Sequence, residues 1–271
     1  MANSSSAPIG IFDSGIGGLT VAHAIKKILP EEDLIYFGDT AHLPYGDKSA
    51  AAVQAYSIKI TNLLIERGCK VIVIACNTAS SVANDLLKEY TASKAKVINV
   101  VDPMVEQVAK LANHDRIGVI GTKGTIASDI YQKKLTKAIM GITVSQLATP
   151  LLVPMIEEGF INNKISEDIL ETYLSDTHLA DINHLILGCT HYPLIKNEIE
   201  NYFNQKVTVY DSSVVTACYL KEYLQKSSLQ TTNINKANDH FYVSDYTQEF
   251  ERSAKYFFGE KVVLEEYKLW E

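Results

Sequence analysis

The sequence predicts an α/β protein with two pseudo-symmetric domains, each built on a mostly parallel sheet with helices on both faces. Three observations support this prediction. Short runs of β-branched and aromatic residues alternate with longer helical patterns along the whole chain. The strand-like runs are almost continuously apolar, which is typical of strands buried on both faces of a parallel sheet. A pattern of strand, cysteine and helix start occurs once in each half of the chain.

Eight apolar runs define the predicted strands. They are Ile9–Asp13, Leu34–Gly38, Val71–Ala75, Val97–Val101, Ile117–Ile120, Ile142–Leu147, His184–Leu187 and Val207–Tyr210. Regular alternation of such strands with helical segments favours an α/β fold over separate all-α and all-β regions.

Two helices between these strands have clear boundaries in the sequence. Apolar residues recur at helical spacing from Val53 to Leu63, and the pattern stops at Gly68, a residue suited to a left-handed C-terminal cap. The pair Asp102-Pro103 predicts another helix, with Asp102 as its N-cap and proline in the first turn.

The second half of the chain repeats features of the first half. Gly10–Ser14 is similar to Gly118–Thr122, each a strand that runs into a polar turn. Further along each half, 61 and 66 residues later, Val71–Thr78 is matched by His184–His191, each a buried strand, a small residue, a cysteine and a polar helix start. A length of 271 residues also fits about two domains.

Composition excludes several classes of protein. The 32 acidic side chains outnumber the 25 lysines and arginines, giving a net charge of −7, and only Arg67, Arg116 and Arg252 are arginine. Such a chain lacks the basic surface that nucleic acid or an anionic membrane requires. The longest apolar run, Val71–Cys76, is far short of the roughly 20 residues of a membrane span. We therefore expect a cytoplasmic protein with no nucleic-acid or membrane partner.

Two of the four cysteines occupy positions suited to chemistry. Cys76 and Cys189 each follow a predicted parallel strand and precede a predicted helix, where α/β proteins place their ligands. Free N–H groups and the helix dipole at such a site are expected to lower a thiol pKa from about 8.5 toward neutrality. The alternative is that both are small buried hydrophobic residues. Cys69 and Cys218 lack this context and are interpreted as structural.

Other polar residues follow neighbouring strands. Asp13 and Ser14 end the first strand, and the loop after the second strand contains Tyr45 and Gly46, whose backbone N–H groups are suited to holding a carboxylate. Tyr45 is equally compatible with an ordinary surface turn. Glu157, among apolar residues, is either functional or a solvated carboxylate at a helix end. The cysteine spacings of 7, 113 and 29 residues do not fit a zinc site, so no metal is expected.

Four segments together resemble the bacterial glutamate racemases of the Asp/Glu racemase family. They are Asp13–Val21, Gly38–Ala41 with Pro44–Gly46, Ala75–Ser80 and Leu187–Leu194, which appear in the family's order. The resemblance implies two domains with the active site in the crevice between them, at 1–99 plus 210–271 and at 100–209. His42 departs from the family pattern, in which arginine is more usual, in a loop that is not expected to touch the catalytic motifs.

The resemblance also implies a reaction and its residues. Glutamate would be racemised without a cofactor by two thiols, Cys76 acting on the D-isomer and Cys189 on the L-isomer, and the D-glutamate would supply peptidoglycan synthesis. Asp13, Glu157 and His191 would assist the thiols. The substrate contacts carried over are Asp13, Ser14, Tyr45, Gly46, Asn77, Thr78, Thr190 and His191. A small-molecule substrate is thus the expected partner, and the protein is expected to be a homodimer.

Other functions stay open at this point. A racemase of aspartate would use the same two-thiol logic. A cysteine hydrolase would need only one nucleophile and a base, for which Cys189 and His191 are candidates. An amino-acid-binding protein would need the crevice alone. Because no arginine lies in a motif, we expect N–H groups, hydroxyls and Asn77 to hold the substrate carboxylates.

Overall fold

The structure is a computed structural model that describes residues 4–92, 94–111, 115–232, 238–259 and 262–271. Its strands are β1 Ile9–Asp13, β2 Leu34–Gly38, β3 Val71–Ile74, β4 Lys96–Asn99, β5 Arg116–Gly121, β6 Thr143–Ala148, β7 His184–Gly188, β8 Thr208–Asp211, β9 His240–Val243 and β10 Leu264–Glu266. Its α-helices are α1 Leu19–Ile28, α2 Ala50–Glu66, α3 Asn77–Thr91, α4 Val101–Leu111, α5 Lys123–Ala127, α6 Ile130–Ala138, α7 Leu152–Glu157, α8 Lys164–Leu174, α9 Lys196–Tyr202, α10 Ser212–Lys226 and α11 Gln248–Phe258. Short 3-10 helices cover Tyr45–Asp47, Thr177–Leu179 and Tyr192–Ile195.

The described strands form two parallel sheets. The first has the order β10-β9-β2-β1-β3-β4 and the second has the order β6-β5-β7-β8. Every pairing in both sheets is parallel. The predicted α/β class is therefore confirmed. The last two strands, β9 and β10, join the first sheet beside β2. The domain bounds suggested by the resemblance stay a prediction.

Helices from the last part of the chain pack against α1. Helix α10 lies against α1, and α11 packs on the same helix. The apolar residues of β1 and β3 are fully buried, as the continuous apolar runs predict. Among the described residues, none of the helices combines the length and apolarity that crossing a bilayer would require.

Three local predictions need correction. Val101 begins α4 instead of ending β4. Asp102 is not the cap of this helix, because Oδ1 of Asn99 accepts the N–H groups of Val101 and Asp102 at 2.8 Å each. Strand β6 is not buried on both faces: as the edge of the second sheet it is partly exposed along its length. Gly68, by contrast, has the predicted left-handed conformation after α2, with φ of 77°.

Candidate active site

A cavity of about 250 Å³ lies where the carboxyl ends of strands from both sheets meet. In α/β proteins, ligands bind in the crevice outside the carboxyl ends of the parallel strands. The lining residues that the sequence singled out are Ser14, Tyr45, Gly46, Cys76, Asn77, Thr78, Glu157, Cys189, Thr190 and His191. Asp13 is the predicted site residue that does not line the cavity.

Cys76 enters the cavity from the first sheet. It follows β3 and is the N-cap of α3, where its Sγ accepts the N–H of Ala79 at 3.4 Å. Its thiol also faces Oγ of Ser14 at 3.8 Å. Burial and, to a smaller degree, the nearby Asp13 carboxylate raise the pKa of Cys76 to about 12. The expected shift toward neutrality is wrong, because one helix-start N–H does not offset complete burial beside an acidic group.

Cys189 enters the cavity from the second sheet. It follows β7, but the chain then forms a 3-10 helix over Tyr192–Ile195 instead of the predicted α-helix start. Its Sγ lies 3.8 Å from Nδ1 of His191. The two thiols are close enough that a charge on Cys189 raises the pKa of Cys76. The structure thus brings together the two cysteines that the sequence selected.

His191 joins Cys189 to an acidic residue. Its Nε2 lies 2.9 Å from Oε1 of Glu157, and its ring meets the ring of Phe257 edge-on at 5.1 Å. Burial by itself would lower the pKa of His191, but hydrogen bonds to Cys189 and Glu157 outweigh it and raise the pKa to about 10. Glu157 is therefore not simply a solvated helix end.

Asp13 lies behind the cavity wall. Its side chain is fully buried, accepts the N–H of Gly15 at 3.2 Å, and lies 3.5 Å from Oγ1 of Thr190. Burial raises the pKa of Asp13, while the charge of His191 and backbone N–H groups act in the opposite direction. The carboxyl group therefore contacts residues that follow strands of both sheets, but Asp13 does not line the cavity.

The start of α3 supplies further polar groups. Oδ1 of Asn77 accepts the hydroxyl of Tyr131 at 2.7 Å, whereas its buried Nδ2 has no hydrogen-bond partner among the described residues. The hydroxyl of Thr78 lies 2.9 Å from that of Thr122 and 3.2 Å from that of Thr125. The first contact joins a side chain after β3 to one after β5, across the seam between the sheets.

The loop after β2 forms another wall of the cavity. Tyr45 is 1% exposed, so it is not a surface-turn aromatic, and its hydroxyl donates to Oδ2 of Asp39 at 2.7 Å. Gly46 packs so closely on Thr122 that an added Cβ would lie 2.8 Å from the threonine Cβ. His42 contacts the same Asp39 carboxylate at 3.0 Å. His42 is therefore linked through Asp39 to Tyr45 in the cavity wall, although it was expected to lie in a loop that does not touch the catalytic motifs.

Several lining residues were not identified from the sequence. They are Gly15, Leu43, Pro44, Asp47, Thr122, Lys123, Thr149, Pro150, Val153 and Pro154. Thr122 had a detectable signal, because it ends the segment that is similar to Gly10–Ser14. Lys123 is the cation at the rim, where its Nζ lies 3.5 Å from Oδ1 of Asp47. No arginine lines the cavity, and no cluster suited to a metal ion occurs within the described ranges.

Comparisons with known proteins agree on one family. A sequence model of the family described as Asp/Glu/hydantoin racemase matches residues 18–219. The glutamate racemase of Geobacter metallireducens is 42% identical over 254 residues, which cover 94% of this chain and 93% of the relative. That of Chlorobaculum parvum is 42% identical over 256 residues, covering 94% of each chain. The crystal structure of Francisella tularensis glutamate racemase in complex with D-glutamate superposes with a TM-score of 0.91 at 39% identity and covers 98% of both chains.

Proposed function

Because this chain belongs to the Asp/Glu/hydantoin racemase family, we propose that it is a glutamate racemase, interconverting L- and D-glutamate by two-base proton transfer between Cys76 and Cys189. The observation that carries the proposal is the position of the two thiols. They line one cavity but come from the carboxyl ends of strands in different sheets. A planar intermediate between them would have one sulfur on each face.

The proposed proton transfers balance without any other reactant. In one direction the Cys189 thiolate takes the α-proton of L-glutamate, leaving a carbanion at Cα. The Cys76 thiol then delivers its proton to the opposite face, which gives D-glutamate and a Cys76 thiolate. In the reverse direction the Cys76 thiolate removes the proton and the Cys189 thiol returns one. No bond other than C–H and S–H is made or broken.

The electrostatics of the two thiols favour this distribution of protons. A pKa of about 12 keeps Cys76 protonated at neutral pH, ready to donate. A pKa of about 10 keeps His191 positively charged 3.8 Å from Cys189, where it would stabilise a thiolate. The assignment of Cys189 to the L-isomer and Cys76 to the D-isomer is part of the proposal.

Most of the groups that would hold the substrate carboxylates are uncharged hydrogen-bond donors. The unpaired Nδ2 of Asn77 would donate to a carboxylate, and Thr78 and Thr190 also line the cavity. Such donors also stabilise charge that develops on the α-carboxylate as the carbanion forms. They are most effective where water is excluded, and both threonines are buried.

The biological setting is proposed from the family. The D-glutamate formed would supply peptidoglycan synthesis in the cytoplasm, and the enzyme would act as a homodimer without a cofactor. A strain that requires D-glutamate for growth should be rescued by this chain and not by its Cys76→Ser variant.

One geometric feature supports a second candidate. Cys189, His191 and Glu157 form a chain of contacts of 3.8 and 2.9 Å, the order of groups found in a nucleophilic cysteine site. A cysteine hydrolase acting on an amide would need these three residues. It would leave the buried Cys76 on the opposite side without a chemical role.

An experiment in heavy water distinguishes a racemase from a hydrolase and from an amino-acid-binding protein. L-glutamate incubated with the enzyme in D₂O should lose its α-proton NMR signal while optical rotation falls to zero, with no cofactor added. L-aspartate tested in parallel measures side-chain selectivity. Release of ammonia from glutamine, with the α-proton of glutamate retained, would instead support the hydrolase. Binding without either reaction would indicate an amino-acid-binding protein.

A further inference from the structure

The buried carboxylate of Asp39 joins the cavity loop to the last residues of the described chain. Asp39 is fully buried directly after β2. Its Oδ2 accepts the hydroxyl of Tyr45, which lines the cavity, at 2.7 Å. Its Oδ1 accepts Nε1–H of Trp270 and the hydroxyl of Ser244, each at 2.8 Å. Residues far apart in sequence thus share one carboxylate.

Such a carboxylate depends on its donors. A charge removed from water is tolerated only where hydrogen bonds replace the lost hydration. The donors around Asp39 come from the loop itself and from the segments that follow β9 and β10. Losing the indole N–H removes one of the donors that fix Oδ1, so the carboxylate can turn or admit water, which moves the hydroxyl of Tyr45 with it.

Trp270 packs against several side chains besides Asp39. Its ring meets those of His42 and Tyr56 edge-on, with centroids 4.5 and 5.4 Å apart. The ammonium of Lys59 lies 4.8 Å from its ring centre. His42 in turn stacks on Tyr56 at 4.1 Å. The indole is therefore held in one orientation, with its N–H directed at Asp39.

We propose that Trp270 is a positioning residue for the substrate, acting through Asp39 to hold the loop of Tyr45 and Gly46 against the cavity. This inference rests on the proposed function, since the loop is taken to contact glutamate. The thiols themselves follow β3 and β7 and do not depend on this loop. Loss of the indole N–H should therefore weaken substrate binding more than it slows proton transfer.

The kinetic test uses Trp270→Phe, which keeps an aromatic ring and removes the N–H. The KM for glutamate should rise about 5- to 10-fold, with kcat changed less than about twofold. Tyr267→Phe is the matched control. It removes a hydroxyl from the same tail segment, but this hydroxyl faces Arg67 and not Asp39. Its KM should stay at the wild-type value.

A double-mutant cycle tests the route through Asp39. If Trp270 acts through this carboxylate, Tyr45→Phe and Trp270→Phe should raise the KM by less together than the product of their separate effects. Since Trp270 is the single tryptophan of the chain, its fluorescence gives a second readout. Glutamate should change the emission of the wild-type enzyme, and Tyr45→Phe should reduce that change.

The outcomes separate the inference from the proposed function. Absence of racemisation by the unaltered enzyme would refute both. Racemisation with an unchanged KM in Trp270→Phe would refute the inference alone. So would equal KM increases in Trp270→Phe and Tyr267→Phe, because they would reflect general loosening of the tail. A KM increase confined to Trp270→Phe, with non-additivity toward Tyr45→Phe, would support it.

Discussion

Oε1 of Glu157 lies 2.9 Å from Nε2 of His191, on the side of the imidazole ring opposite to Cys189. This contact brings a carboxylate from the end of α7 to a residue that follows β7. It helps to raise the pKa of His191 to about 10, even though burial acts in the other direction. The imidazolium beside Cys189 therefore depends on a residue that does not touch the thiol.

Replacing Glu157 by glutamine should lower the pKa of His191, because a neutral amide supports the imidazolium less than a carboxylate does. The alkaline limit of activity should then move to lower pH. Acid–base groups contribute about 10²- to 10⁴-fold to the reaction rate. Because Glu157 acts only through such a group, its replacement should lower kcat/KM roughly 10-fold. The measurement is kcat/KM against pH in both directions. The loss must be equal in the two directions, because enantiomers have equal free energies in water. An unshifted alkaline limit would contradict the coupling.

Cys76→Ser and Cys189→Ser should each lose about 10³-fold or more in racemisation, because a serine hydroxyl is a far weaker acid than a thiol. Polarimetry with each isomer provides the measurement. Cys218→Ser is the control, since Cys218 is exposed on α10, away from the cavity. Near-normal activity in either cavity variant would rule out the two-thiol mechanism.

The reactivity of Cys76 should depend on Asp13. The Asp13 carboxylate contributes to the raised pKa of this thiol, so Asp13→Asn should lower that pKa. Each unit of lowering increases the thiolate fraction about tenfold at neutral pH. Alkylation of Cys76 by iodoacetamide, followed by peptide mass spectrometry across pH, measures this change. Cys218 in the same sample serves as the internal reference. An unchanged pH profile for Cys76 would show that Asp13 carries no charge in the free enzyme.

Local sequence patterns were sufficient for much of the fold. Apolar runs identified β1 to β8, and for strands such as β1 and β3 the reason is that burial on both faces leaves a direct compositional signal, although the edge strand β6 is partly exposed. The same approach missed β9 and β10. His240–Val243 was not predicted although Phe241–Val243 is apolar, and two of the three residues of Leu264–Glu266 are acidic. Both strands depend on pairing with β2 and with each other, which is information from distant parts of the chain.

The candidate site shows the same limit. Cysteines and polar residues directly after strands were identified because the ends of those strands could be predicted from the sequence. The sign of the pKa shift at Cys76 was wrong, since the depth of burial and the approach of Asp13 arise only from packing. Lys123 and Thr149 reach the cavity from β5 and β6 without any motif that marks them. The network around Asp39 depends on Trp270, 231 residues away.

The buried ion pair of Lys70 and Glu32 should matter for stability. Nζ of Lys70 lies 2.5 Å from Oε2 of Glu32, and both side chains are almost completely buried. Lys70 also donates to the carbonyl of Ser5, and Glu32 accepts the N–H of Thr231. Glu32→Gln leaves a buried ammonium without its counter-charge, which typically costs about 3–5 kcal/mol. Urea unfolding measures the loss. Lys164→Ala, which removes an exposed pair with Asp168, is the control and should leave the midpoint unchanged.

Gly17→Ala should impair the site with little change in backbone conformation. A Cβ at this position would lie 2.3 Å from Cε1 and 2.4 Å from Nδ1 of His191, so the imidazole must move. That movement breaks the contacts of His191 with Cys189 and Glu157 at the same time. Because small misplacements of catalytic groups cost up to about 10²-fold, we expect kcat to fall 10- to 100-fold. Gly68→Ala is the comparison: it strains a left-handed residue at φ of 77° far from the cavity. It should lower the melting temperature while preserving kcat. Wild-type kcat in Gly17→Ala would mean that the position of His191 is not critical for proton transfer.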